Sequence, residues 1–374
     1  MKVFQESLGM TREVVRTKQS QVLLLAGSGT LGWDQVGANL VEKGDKALVL
    51  HTGYFGDGFA EWYVLRRPFF GLHKLIRFRR SLKTYGAQID MIKASLGGTV
   101  KIADVERALK SQKYKLITIT HVDTSTGVLS DAEAIAACVR RVSPDTLIIL
   151  DAVCSLASED VHMDSWGLDI ILSASQKGLG APPGLSILIA SPRAISTWEA
   201  RQARGVPSGS FYSSWEKWLP IMRAYDSGKP AYFGTPAVNL VRAYHASLAE
   251  ITKGPVGFEE RLALHKKASD KVKKAAERLG MVQVATDPNG RAYGMTAVYV
   301  PQHQGLTAAD VLPLVGKRGV VMAGGLVAEI KDRYIRVGHM GWSVVGDEGR
   351  DIDYIVKALE EAVGEARAAV SARL

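Results

Sequence analysis

At 374 residues, 47% hydrophobic and 23% charged, the chain has the composition of an ordinary globular protein and room for two domains with full cores. No stretch approaches the ~18 uninterrupted apolar residues of a membrane span, and the two cysteines, Cys138 and Cys154, form no disulfide framework and fit a reducing compartment. The net charge of +9 is a weak pointer to nucleic acid, because Arg66, Arg67, Lys74, Arg77, Arg79 and Arg80 crowd into Trp62–Arg80, and setting those six aside takes +9 to +3.

Met1–Ser20 carries scattered charges and no apolar core for a secretory signal. Val22–Leu25 reads as a short strand, followed by Ala26-Gly27-Ser28-Gly29-Thr30 and a helical pattern to about Glu42. Lys46–His51 is the next strand, and it enters the turn Thr52–Gly56. Leu116–Thr120 runs into His121-Val122-Asp123-Thr124-Ser125-Thr126-Gly127, with a helix from Asp131. Two unbroken apolar strands follow, one ending at Asp151 and one leading to Lys177, 26 residues later. Such runs, alternating with helices, belong to strands covered on both faces in a doubly wound, mainly parallel sheet. Pro182-Pro183-Gly184 breaks the chain, and Leu185–Ala190 returns as an antiparallel strand. Pro236 opens a long amphipathic helix that leads into a second domain, so the expected division is residues 1–252 and 253–374. In the second part, helical segments Phe258–Leu279, Thr307–Lys317 and Asp347–Ala369 alternate with strands Met295–Val300, Val320–Met322 and Tyr334–Val337.

Gly27-Ser28-Gly29-Thr30-Leu31-Gly32 matches the dinucleotide fingerprint G-x-G-x-x-G after a strand. That fingerprint expects an acid at the end of the next strand, which here ends Leu50-His51-Thr52-Gly53. The same glycines equally bring backbone N–H groups and the Ser28 and Thr30 hydroxyls against a single phosphate at a helix N-terminus. A plain tight turn is the structural alternative.

Asp151 and Lys177 stand at the carboxyl ends of their strands, where parallel sheets bind ligands. Either alone is compatible with a polar strand end. Together, beside a phosphate cradle, they fit pyridoxal phosphate chemistry, in which an amine holds the cofactor and a carboxylate keeps its ring nitrogen protonated.

Asp151-Ala-Val-Cys-Ser155, Ser173-Ala-Ser-Gln-Lys177-Gly-Leu-Gly-Ala-Pro-Pro-Gly184 and Thr120–Gly127 carry a specific resemblance, from about Gln21 to Leu359. The chain resembles the class V, fold-type I aminotransferases that use pyridoxal 5'-phosphate, and within them the alanine–glyoxylate and serine–pyruvate enzymes in their fungal form. The resemblance implies a large domain built on a mainly parallel seven-stranded sheet and a smaller C-terminal α/β domain. It implies Lys177 as the Schiff-base lysine and Asp151 as the partner of the pyridine nitrogen. Thr124 and Gln176 would bond the cofactor's polar edge, Ser28, Gly29 and Thr30 its phosphate, and Phe55 would stack on its ring. Tyr232 and Thr235 match residues that reach the neighbouring phosphate site in a homodimer, and Arg336 matches the arginine that grips the substrate carboxylate, for which a planar guanidinium is suited. Ordinary packing remains the alternative for Phe55 and Tyr232. His121 and His339 read as structural, and Cys154 as a small buried filler.

The implied reaction takes an amino group from L-alanine and passes it to glyoxylate, giving pyruvate and glycine, with serine–pyruvate or serine–glyoxylate transamination as the alternative. Cysteine desulfuration would need a mobile catalytic cysteine, and neither Cys138 nor Cys154 is placed for that. The family's amino-terminal arm, with Pro-Gly-Pro and Gly-His-x-Ser-Pro elements, has no counterpart before Gln21, so the chain reads as truncated there, and an inactive member is the alternative. Trp62–Arg80 is extra to the family pattern and reads as an unspliced intron or misplaced gene boundary, with a real insertion or a single-strand nucleic-acid patch as alternatives. Amino acids and 2-oxo acids are the expected partners, without nucleic acid or membrane. Ala372-Arg373-Leu374 resembles the Ser-Lys-Leu peroxisomal signal, which makes the peroxisome the expected address and the cytoplasm the alternative.

Overall fold

The structure, a computed structural model, describes residues 1–56, 63–65, 76–78, 81–301, 305–346 and 349–372. In chain order, β1 (Gln21–Ala26) and β2 (Lys46–His51) are followed by a short antiparallel pair, β3 (Tyr63–Leu65) and β4 (Ile76–Phe78). Next come β5 (Gln88–Lys93) and β6 (Leu116–Thr120), then a second small pair, β7 (Val122–Asp123) and β8 (Val128–Leu129). The run closes with β9 (Leu147–Asp151), β10 (Ile170–Ala174) and β11 (Leu185–Ala190).

Seven of these strands form one sheet in the order β1-β11-β10-β9-β6-β2-β5. β5, β2, β6, β9 and β10 are mutually parallel, while β11 runs antiparallel to both β10 and β1. The sequence reading of one reversed strand in a mainly parallel sheet therefore holds. Every residue of β6, β9, β10 and β11 is buried, as expected for strands covered on both faces. Each buried Leu or Ile there contributes roughly 1.5–3 kcal/mol relative to exposure.

Two corrections concern strands. Gln88–Lys93, which the apolar pattern did not mark, is an edge strand paired with β2, and its Gln88, Asp90 and Lys93 break the apolar run. Val320–Met322, expected as a strand, is irregular; the chain leaves the helix Ala308–Lys317 through Gly319 at φ +72°, and Val321 is exposed. The pairing there belongs instead to β13 (Ala323–Gly324), which joins β12 (Met295–Tyr299) and β14 (Tyr334–Gly338) in an antiparallel sheet ordered β12-β14-β13. Val298 and Ile335 of that sheet pack with Val311, Val315, Leu359 and Val363 from the helices Ala308–Lys317 and Arg350–Ser371.

The first residues form a helix, Lys2–Val14, that lays Phe4, Leu8 and Thr11 into the core, where Thr11 Oγ1 and Tyr244 Oη are 2.9 Å apart. Of the basic stretch Trp62–Arg80, β3 and β4 are described, and they pair where the sequence shows no strand period. The rest of that stretch lies outside the described residues.

Candidate active site

The carboxyl ends of the parallel strands meet at one cavity of about 200 Å³. β1 delivers Ser28, Gly29 and Thr30; β2 delivers Phe55; β6 delivers Thr124; β9 ends in Asp151; β10 leads to Gln176 and Lys177. All eight line that cavity.

Thr30 opens the helix Thr30–Leu40, Gly29 is its N-cap, and among the described residues no side chain caps it. The Ser28 and Thr30 hydroxyls lie 3.1 Å apart and are exposed at this helix N-terminus. A Cβ at Gly29 would come within 2.8 Å of Val153 Cγ2, so the close approach of this turn to the loop after β9 requires glycine. The two hydroxyls, set at the positive end of a helix, form an anion cradle.

Asp151 is 4% exposed. Its Oδ1 accepts the Val153 N–H at 3.0 Å and its Oδ2 accepts the Trp33 indole N–H at 3.0 Å. Burial pushes its carboxyl up to about 6, against the pull of those two hydrogen bonds. A protonated ring nitrogen in the cavity would supply the positive charge this carboxylate lacks.

Lys177 is half-buried on a fastened loop. Its carbonyl accepts the Gly180 N–H at 2.8 Å, Ser175 Oγ donates to Pro182 O at 2.7 Å, and the Arg261 guanidinium donates to Gly178 O at 2.8 Å. Phe55 is fixed by Asp123, a fully buried carboxylate whose Oδ2 accepts the Phe55 N–H at 3.2 Å and whose Oδ1 accepts Ser125 N–H at 3.0 Å. Burial also raises the Asp123 carboxyl.

Arg336, on β14, stands at the Thr124 side of the cavity without lining it. Its Nε donates to Gly324 O at 2.8 Å and one terminal nitrogen to Thr124 O at 3.4 Å. Tyr232 and Thr235 do not join the cavity of their own chain: Tyr232 is 73% exposed, and its hydroxyl lies 3.2 Å from Thr235 Oγ1. His339 Nε2 pairs with Thr296 Oγ1 at 2.8 Å, and His121 packs edge-on against Trp166. Cys154 is buried and lines the cavity beside Asp151.

Trp33 and Asp123 escaped the sequence reading of the site. Trp33 sits inside a helical apolar pattern and looks like core; Asp123 lies within the Thr120–Gly127 motif, but it holds a turn that follows another strand. The uncapped helix start suits a phosphate, Asp151 suits a pyridinium nitrogen and Lys177 suits a carbonyl carbon, so the residues present fit pyridoxal phosphate.

Residues 74–341 match the family described as Aminotransferase class-V. The chain is 38% identical over 348 residues to alanine–glyoxylate aminotransferase 1 of Saccharomyces cerevisiae, covering 91% of this chain and 83% of that protein. It is 27% identical to L-aspartate–glyoxylate aminotransferase of Paracoccus denitrificans, over 88% of this chain and 76% of the other. The solved structure of alanine–glyoxylate aminotransferase from Nostoc sp. superimposes with a TM-score of 0.83 at 25% identity, covering 97% of this chain and 86% of that one.

Proposed function

The chain belongs to the class V aminotransferases, and we propose that it transfers the amino group of L-alanine to glyoxylate, giving pyruvate and glycine. It is a pyridoxal phosphate enzyme of fold-type I. The observation that carries the reading is the convergence of Lys177, Asp151 and the Ser28–Thr30 cradle on one cavity. When bound, the cofactor supplies an electron sink for the carbanion formed at the substrate α-carbon.

Each residue then has a task. The Lys177 amine holds the cofactor and, once released from it, carries the proton to and from the substrate α-carbon. The Asp151 carboxylate keeps the ring nitrogen protonated. Ser28, Gly29 and Thr30 take the phosphate; Thr124 and Gln176 flank the ring edge, and Phe55 covers a face. Arg336 has donors beyond those given to Gly324 and Thr124, and it takes the carboxylate that alanine and glyoxylate share. Exposed Tyr232 and Thr235 fit a homodimer in which they complete the partner's phosphate site. The Ala372-Arg373-Leu374 tripeptide, whose last two residues lie outside the described ones, is read as a peroxisomal import signal.

The test is spectroscopic. The absorbance of the cofactor-loaded protein should change on addition of L-alanine and return on addition of glyoxylate; a loaded protein that does not respond to alanine overturns the reading. Mass in solution checks the dimer, and a fluorescent protein carrying the last ten residues that stays diffuse in the cytosol overturns the address.

A further inference from the structure

One of the two hydrogen bonds given to the Asp151 carboxylate comes from a residue outside the motifs that mark the site. Trp33 lies in the first turn of the helix Thr30–Leu40, just past the phosphate cradle. Its indole is 8% exposed, lines the cavity, and donates Nε1–H to Asp151 Oδ2 at 3.0 Å. The Val153 N–H occupies the other carboxylate oxygen. The indole also meets the Phe55 ring edge-on, with centroids 6.4 Å apart. One side chain thus touches the helix that starts at the cradle, the carboxylate facing the ring nitrogen and the aromatic wall.

An indole N–H can only donate. Donation to a carboxylate favours its ionised form, and in a buried site such a charge-assisted bond is among the strong ones. Asp151 needs that help, because burial opposes its charge, and among the described residues Val153 supplies the one other hydrogen bond that lowers its pKa. A carboxylic acid at this position would leave a ring nitrogen without a counter-charge.

We propose that Trp33 is a positioning residue that holds Asp151 ionised and aimed at the cofactor's ring nitrogen. The inference rests on the assignment of Asp151 made above. It couples the two ends of the cofactor site, since a shift of the helix that carries the phosphate cradle moves the donor that holds the carboxylate.

The test compares Trp33→Phe, Asp151→Asn and the double variant, each loaded with pyridoxal phosphate. Trp33→Phe should weaken the cofactor dissociation constant on the order of tenfold. It should lower kcat while leaving the KM for L-alanine near wild type, and move the acid limb of the kcat–pH profile upward by about one unit, because Asp151 then ionises less readily. In the Asp151→Asn background the same change should add little to the loss of cofactor affinity, as expected of two groups acting through one contact. Full additivity, or an acid limb and dissociation constant unchanged in Trp33→Phe, overturns the proposal. Should Trp33→Phe not fold, site-specific 3-benzothienylalanine at position 33 repeats the comparison, because it replaces N–H by sulfur in the same ring. An Asp151→Asn protein with wild-type affinity and turnover would instead sink the assignment of Asp151, so the two failures are distinct.

Discussion

Lys177 sits three residues beyond β10, and hydrogen bonds from Gly180 and Arg261 hold its own carbonyl and that of Gly178. A fixed backbone with a half-buried amine suits a group that is bound covalently and then has to move a proton. Lys177→Ala should therefore abolish the absorbance of the bound cofactor's covalent form and lower turnover at least ~10³-fold, since both tasks depend on that amine. Near wild-type turnover in the purified variant would reassign the site. Arg336→Lys should raise the KM for alanine and for glyoxylate together, each on the order of tenfold, because a lysine replaces a planar two-pronged donor poorly. The same change forfeits the bond to Gly324 O. Steady-state kinetics in both substrates would show an effect on one alone if the two carboxylates do not share the clamp. The convergence of Asp151 and Lys177 on one cavity was legible in the sequence, because one ends a buried parallel strand and the other follows such a strand by three residues, which puts both at the carboxyl edge of the sheet. Trp33 was not, because nothing in a helical apolar pattern says that one of its members turns a donor toward a strand end 118 residues away.

The helix Phe258–Arg278 shows how an element distant in sequence governs the site. In its first turn Arg261 is 5% exposed, and its guanidinium donates to Ala157 O at 3.2 Å and to Gly178 O at 2.8 Å. Burial lowers its pKa to about 10, so it remains charged at neutral pH. The carbonyls it serves belong to Ala157, held at φ +66°, and to the residue after Lys177. Arg261→Met would leave both without this donor, and should cost about 2–3 kcal/mol of stability. It should also lower kcat more than it changes the KM for alanine, because the Lys177 loop loses its tie. Denaturant unfolding and kinetics measure the two separately; lost stability with kcat intact would confine Arg261 to the fold. Among elements, the buried strands and the helices Phe258–Arg278 and Ala308–Lys317 could be read from apolar period alone. Gln88–Lys93 could not, because an edge strand buries less and its polar residues interrupt the run. Arg261 itself looks like any surface arginine of a polar helix until the loop it serves folds beneath it.

The two sheets are joined at a buried carboxyl. Glu159, in the loop after β9, accepts the N–H groups of Tyr293 and, at 3.1 Å, of Gly294, where the chain enters β12. Lys273 donates to Ala292 O at 2.7 Å in the same place. Burial pushes the Glu159 carboxyl up to about 8, against the pull of those two N–H groups and of Lys273. Between its ordinary value of 4.5 and about 8, the folded protein keeps a proton on Glu159 that the unfolded chain has released. The folded state then binds more protons than the unfolded one, so this contribution is fully present below pH 4.5 and is lost as pH rises toward 8. Glu159→Gln keeps an acceptor oxygen for both N–H groups and removes the titration. The thermal midpoint of Glu159→Gln minus that of the wild type should therefore grow steadily from about pH 5 to about pH 8 at fixed cofactor concentration. Buried His121, His265 and His339 have their pKa values lowered to about 4, 4 and 3, which weakens the fold as pH falls below 6.5. That loss occurs equally in both proteins and cancels in the difference. A difference that stays flat across the range would mean that Glu159 is ionised in the folded protein, held as the partner of Lys273 rather than as a buried acid.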